Sequence, residues 1–223
     1  MKSKSQQVFD YIEQKIMAGE FQAGQKIPSE KKLGQSLGVS RVSVRSGIGK
    51  LIAIGLLTKE KHGPTYVAAN DQDNFLKMMT PAFVHNFNYL EMLEIRKALD
   101  ALTVELCITH MDQAVIDELR QLLAEMAADQ GQGDFFALDR NYHLTISKHS
   151  CNRLLHNINE LIWEVLERTS RDQYHAIGNK ERVLEHQRIL DAIIQSDYEL
   201  AKLFSIRHLE RTIKAIGKGK NGP

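Results

Sequence analysis

Asp139 and His143 stand four residues apart. On an α-helix that spacing leaves two side chains about 40° apart around the axis, so both can face one point. His186 follows with Val183, Leu190 and Ile194 nearby on an apolar side, and His208 sits beside Ile206 and Leu209. Three imidazoles and one carboxylate from three helices would suit Zn²⁺, Ni²⁺ or Mn²⁺ and leave coordination positions open. Spacing does not show that they converge. Taken singly, each histidine reads as a satisfied buried or surface group, and Asp-x-x-x-His reads first as a surface ion pair. A second chemistry is concentrated nearer the N-terminus, where Ser40, Arg41, Ser43 and Arg45 fall within a turn and a half. Arginine can take guanine O6 and N7 in a bidentate bond, and serine hydroxyls can reach phosphate or base. Lys31 and Lys32 just before them could hold a nucleic-acid backbone. A single exposed lysine or arginine would be no more than a solvated charge; the cluster at a helix start favours DNA.

The elements that must position these groups can be read from periodicity and punctuation. Val8, Ile12 and Ile16, with Tyr11, mark one face of a first helix ending near Gly19. Ser29 is a fitting N-cap for a second helix over 30–37, closed by Gly38, and Ser40 for a third running through Val44, Ile48, Leu51 and Ile52. The tight 37–40 turn makes the pair a helix-turn-helix. Segments 56–60 and 65–68 read as two strands around the turn at 61–64. Helix-turn-helix followed by a hairpin predicts a winged helix, in which the first residues of the third helix reach the base edges.

Beyond a polar linker at 70–73, periodicity predicts helices over 74–84, 89–110, 113–129, 134–149, 153–174, 180–195 and 198–216, with no strand. Seven helices with short joints make an antiparallel bundle, so the fold class is mainly α: a winged helix-turn-helix domain at 1–69 and an all-helical domain at 74–217. The charge divides the same way. Residues 1–70 carry 11 Lys+Arg against 5 Asp+Glu, and the remainder 18 against 23, although the whole chain is only +1. Eight of the nine histidines lie in the second part. A basic module joined to an acidic, histidine-rich one implies two jobs, with the basic one facing a polyanion.

Composition excludes several classes. With 223 residues, 43% hydrophobic, the chain can bury a proper core, and low aromatic content with four prolines argues against a disordered or collagen-like chain. No apolar run approaches the ~20 residues that span a bilayer, and no signal-peptide core follows the basic N-terminus. Cys107 and Cys151 sit in apolar helical patterns and read as reduced thiols, consistent with a cytoplasmic protein.

The run Pro28-Ser29-Glu30 … Leu33 … Leu37-Gly38-Val39-Ser40-Arg41-Val42-Ser43-Val44-Arg45 … Leu51 … Gly55-Leu56-Leu57 resembles the N-terminal domain of GntR-family transcription regulators over residues 5–68. The resemblance implies that Lys31, Ser40, Arg41, Ser43 and Arg45 occupy DNA-contact positions and that His62 and Gly63 form a wing tip entering the minor groove. Two departures stand out. Ser46-Gly47-Ile48-Gly49 replaces the usual Glu-Ala-Leu, and two helical glycines at about 1 kcal/mol each predict a soft helix end. Gly63-Pro64-Thr65 removes a basic wing contact.

Over residues 74–216 the segments Glu94-Ile95-Arg96-Lys97-Ala98-Leu99-Asp100, Asp139-Arg140-Asn141-Tyr142-His143, Ser150-Cys151-Asn152, Glu185-His186 and Arg207-His208-Leu209 resemble the FCD ligand domain of the FadR subfamily. Here Asp100 stands where glutamate is usual. That resemblance implies that Asp139, His143, His186 and His208 hold a divalent metal, Zn²⁺ first with Ni²⁺ or Mn²⁺ as alternatives. A small carboxylate effector would complete its coordination, gripped by Arg96. The expectation is a homodimeric regulator that binds a pseudo-palindromic double-stranded operator, is released by a carboxylate metabolite, has no membrane partner and is no enzyme. A metal-free pocket for an acyl-CoA-type effector is the alternative, and a helical-bundle metalloenzyme a remote one. The latter would need a Glu-x-x-His or His-Glu-x-x-His motif, which the chain lacks.

Overall fold

The computed structural model describes residues 2–60, 63–68, 80–129, 133–175 and 179–219, with the side chains at 170–175, 179 and 217–219 excepted. The chain forms two compact units, Met1–Met79 and Thr80–Pro223. The expected linker at 70–73, the first residues of the helix expected at 74–84, and His62 lie outside the described residues.

The first unit runs α1 (Lys4–Met17), α2 (Glu30–Leu37), α3 (Arg41–Ala53), β1 (Leu57–Lys59) and β2 (Thr65–Val67). Each helix start is set by a serine: Ser3, Ser29 and Ser40 accept from the backbone N–H of Gln6, Lys32 and Ser43. Such caps satisfy amide donors that the helix leaves orphaned. Gly38 ends α2 in the left-handed conformation at φ 62°, which lets the chain reverse straight into α3. The strands are antiparallel, Leu57 opposite Val67 and Lys59 opposite Thr65, and each is shorter than the periodicity predicts. Val8, Ile12, Ile27, Leu33, Val44, Ile48, Leu51, Leu57 and Val67 make one core from all five elements.

Gly47 and Gly49, the two glycines behind the expected soft helix end, stand in different surroundings. Gly47 is the packed one. It is buried where α3 crosses α1, and a Cβ there would stand 2.8 Å from both the Ser5 carbonyl oxygen and Val8 Cβ. The missing side chain lets the helices approach, which outweighs its propensity cost. Gly49 is exposed with nothing near its Cβ position. Gly47→Ala therefore lowers stability by roughly 1 kcal/mol or more, overpacking exceeding the gain in propensity, whereas Gly49→Ala raises it by about 0.5–1 kcal/mol. Urea unfolding of the two variants checks this; equal gains in both would refute the close-packing account.

In the second unit, residues 80–86 are helical, followed by α4 (Tyr89–Cys107), α5 (Gln113–Ala128), α6 (Phe135–Lys148), α7 (Arg153–His175), α8 (Asn179–Ile194) and α9 (Tyr198–Gly219). The helix expected over 89–110 tightens into a 3₁₀ turn at Ile108–His110 before Asp112 caps α5. Cys107 is buried, and burial pushes its thiol up to about 12. Cys151 falls in the joint between the predicted helices, at φ 53° in the turn between α6 and α7, but it is exposed rather than set in an apolar pattern. Leu93, Leu119, Met126, Phe135, Phe136, Tyr142 and Trp163 are almost completely buried and fill the space between helices. Leucine, phenylalanine and tryptophan in such positions set helix spacing to within a methylene.

Candidate functional site

The bundle interior contains a polar cluster that no apolar core needs. Asp139 and His143 project inward from α6, His186 from α8 and His208 from α9, with 1%, 7%, 0% and 3% of their surfaces exposed. Their ligand atoms all lie within 4.8 Å of one another. His186 Nε2 stands 2.7 Å from Asp139 Oδ1, and His143 Nε2 is 3.1 Å from His186 Nε2 and 3.7 Å from Asp139 Oδ1. Helical spacing puts Asp139 and His143 together, and Tyr142 between them fixes the neighbouring helix by donating from its hydroxyl to the His186 carbonyl at 2.8 Å. Ile194, expected on the same apolar side as His186, is instead exposed.

Electrostatics hold this cluster ready for a cation. Burial, with Arg96 and the neighbouring imidazoles, drives His143 well below its ordinary pKa. Burial likewise lowers His208 to about 4, with His186 adding to the effect against the hydrogen bond to Glu185. Both rings are neutral at pH 7 and offer lone pairs. For Asp139, burial opposes ionisation, but the close contact with His186 and the guanidinium of Arg96 hold the carboxyl well below the usual range. The donor set fits a divalent ion. Ligand atoms around a tetrahedral Zn²⁺ with bonds near 2.0–2.1 Å stand roughly 3.3 Å apart, and the observed separations bracket that value.

Around the cluster lie groups that hold it. His208 Nδ1 donates to Glu185 Oε2 at 2.7 Å, and Arg211 grips the same carboxylate, Nη2 to Oε2 at 2.8 Å and Nε to Oε1. Arg96 is buried on α4, its Nε donating to Asp100 Oδ2 at 3.1 Å and its guanidinium 3.9 Å above the Trp163 ring. Asp100 in turn stands 3.4 Å from His143 Nδ1, so the aspartate found where glutamate is usual links Arg96 to the cluster. One Arg96 nitrogen, Nη2, is buried without a hydrogen-bond partner among the described residues.

The first unit carries the second set of expected residues. Ser40, Arg41 and Arg45 are exposed and Ser43 half-buried at the start of α3, and Lys31 is exposed on α2. Ser40 Oγ caps Ser43 N and lies 3.0 Å from Ser43 Oγ, so one hydroxyl of the pair is already committed to the helix. Lys31, Arg41, Arg45 and Gly63 line an open groove of about 480 Å³, where Lys26 and Lys59 join them. Glu30 is the acid of this groove, 3.1 Å from both Arg45 Nη2 and Lys59 Nζ, and those hydrogen bonds hold its carboxyl below the ordinary range.

Sequence reasoning assigned no role to Glu185, Lys26, Lys59 or Val42. Val42, though apolar, is 80% exposed between Arg41 and Ser43. Its signal was an apolar residue on the outer face of the cationic helix. Glu185 stands in the quoted Glu185-His186 segment, but its role is not local, because its partner His208 lies on another helix.

A winged helix with a cationic groove and a helical bundle with a buried donor cluster define a regulator that binds DNA through one unit and carries a ligand-type domain in the other. The family described as bacterial regulatory proteins, gntR family, matches residues 4–67, and the FCD domain matches residues 91–211, more than half of the chain. The chain belongs to the gntR family, with an FCD domain; it is a DNA-binding transcription regulator and not an enzyme. Its relatives include the HTH-type transcriptional regulator LutR of Bacillus subtilis, 25% identical over 87% of this chain and 92% of that protein. The Uxu operon transcriptional regulator of Escherichia coli is 25% identical over 92% of this chain and 83% of its own. Among solved structures, Streptococcus agalactiae GntR shares the fold at a TM-score of 0.59 and 19% identity, over 94% of this chain and 99% of that one. Among the described residues no helix is long and apolar enough to cross a membrane.

Proposed function

We propose that the protein is a cytoplasmic, homodimeric repressor of the FadR subfamily, released from a pseudo-palindromic operator by a small carboxylate metabolite bound beside a divalent metal. Residues 1–69 serve as the DNA-binding domain and 74–217 as the effector-binding and dimerisation domain, joined by a linker at 70–73. On DNA, Arg41 and Arg45 read base edges in the major groove, Ser40, Ser43 and Lys31 hold sugar-phosphate or base atoms, and His62 and Gly63 approach the minor groove. Val42 has the exposure and chemistry to meet a thymine methyl.

Asp139, His143, His186 and His208 would hold the metal, Zn²⁺ in the first instance and Ni²⁺ or Mn²⁺ as alternatives. When bound, it supplies open Lewis-acid positions for effector oxygens. The observation that carries the effector reading is the unpartnered Arg96 Nη2. A buried guanidinium nitrogen without an acceptor costs about 1–3 kcal/mol, which an effector carboxylate relieves with a charge-assisted bond. Asp100 and Trp163 keep the fork aimed. Differential affinity for two arrangements of the dimer then changes operator binding.

Arg96→Ala is expected to retain operator affinity while losing release by small carboxylates. Titrating a panel of short hydroxy-, keto- and dicarboxylates into the operator complex measures this. Release of the variant at wild-type concentrations would remove Arg96 from the ligand site.

A further inference from the structure

We propose that Glu185 is a positioning residue for the metal centre: it fixes the tautomer and orientation of His208. This rests on the metal reading above. An ionised carboxylate can only accept, so the 2.7 Å contact places the His208 proton on Nδ1 and leaves Nε2 as the lone pair available to an ion. The same nitrogen, Nε2, is the one with which His143 and His186 meet each other. His143 and His186 thus turn Nε2 toward each other, and the bond to Glu185 leaves His208 the same nitrogen free of that carboxylate. The rings differ in how they are held: His186 Nδ1 is buried with no hydrogen-bond partner among the described residues, whereas His208 Nδ1 has a short bond to a carboxylate that Arg211 also contacts.

Glu185 is 15% and His208 3% exposed at the side chain, so water competes little for this bond. Outer carboxylates of this kind raise ligand basicity and fix ring orientation, and their loss commonly weakens metal binding 10- to 100-fold. The rival account is that Glu185 and Arg211 merely tie α8 to α9. It predicts that either partner's removal has the same consequence, whereas positioning places the effect on Glu185 alone.

The test uses the full-length protein stripped of metal and reloaded with Zn²⁺. Affinity is read by competition with a chromogenic chelator, and geometry from the visible bands of the Co²⁺ form. Glu185→Ala is expected to weaken Zn²⁺ binding roughly 10- to 100-fold and shift the Co²⁺ bands. Glu185→Gln, which keeps an accepting oxygen and the side-chain shape, should recover part of that loss and serves if the alanine variant does not fold. Arg211→Met breaks the interhelical tie but leaves the Glu185–His208 bond, and should fall short of the roughly 10-fold loss that marks removal of an outer partner. Wild-type affinity in both Glu185 variants, or an equal loss in Arg211→Met, overturns the positioning role. A wild-type protein that takes up no Zn²⁺ overturns the metal reading itself, and this role with it.

Discussion

Arg41→Ala and Arg45→Ala should each weaken operator binding by roughly 5- to 150-fold, the worth of about 1–3 kcal/mol for one good base contact. Folding should be left intact. Arg45 has 75% of its side chain exposed, and its bond to Glu30 is a surface pair worth about 0–1 kcal/mol, so neither substitution opens the core. Melting temperatures should therefore stay close to wild type. Anisotropy titrations against an operator duplex and a scrambled duplex separate the two arginines from Lys31. Loss of base readout should collapse the ratio between duplexes, whereas Lys31→Ala should weaken both alike and reduce the salt slope by about 1. Normal operator affinity in both arginine variants would remove the start of α3 as the reading element.

The second large effect is expected at the bundle centre. His186→Ala should reduce the metal content of untagged protein from about one ion per chain to none, because it removes one of four donors. His186 Nε2 stands 2.7 Å from Asp139 Oδ1 and 3.1 Å from His143 Nε2, so its loss also breaks these contacts. The Tyr142 hydroxyl bonds to the His186 backbone carbonyl rather than to its ring, and that α6–α8 link survives. Added Zn²⁺ should raise the wild-type melting temperature, since an ion at 100 times its dissociation constant stabilises by about 2.7 kcal/mol, and leave the variant's unchanged. Elemental analysis and thermal melts make the measurement. A metal-free wild type that takes up none on reloading would leave these imidazoles as hydrogen-bonding groups and widen the effector search to uncharged compounds.

Much of this was legible in the chain because its signals are local. A serine three residues before the amide it caps, a glycine at the left-handed end of α2, and apolar residues one turn apart act within a few residues, so Ser29, Gly38 and Ser40 place the helix-turn-helix unaided. The i, i+4 relation of Asp139 and His143 is local too. Two local readings still failed. Gly47 reads as a weakness until α1 is laid across it, and Cys151 reads as part of an apolar pattern although it is exposed in a turn.

What only the tertiary structure decided is the company each group keeps. His143, His186 and His208 are separated by 42 and 21 intervening residues. No periodicity relates residues on different helices, so only packing of α6, α8 and α9 shows their nitrogens meeting. The same holds for Glu185 behind His208, for Asp100 between Arg96 and His143, and for Lys59 beside Arg45 across the wing. Sequence determined which elements form and which faces they bury, because capping and hydrophobic periodicity are short-range. The folded bundle decided which buried charges share a site, because a desolvated charge is governed by whatever lies within a few ångströms, however distant in the chain.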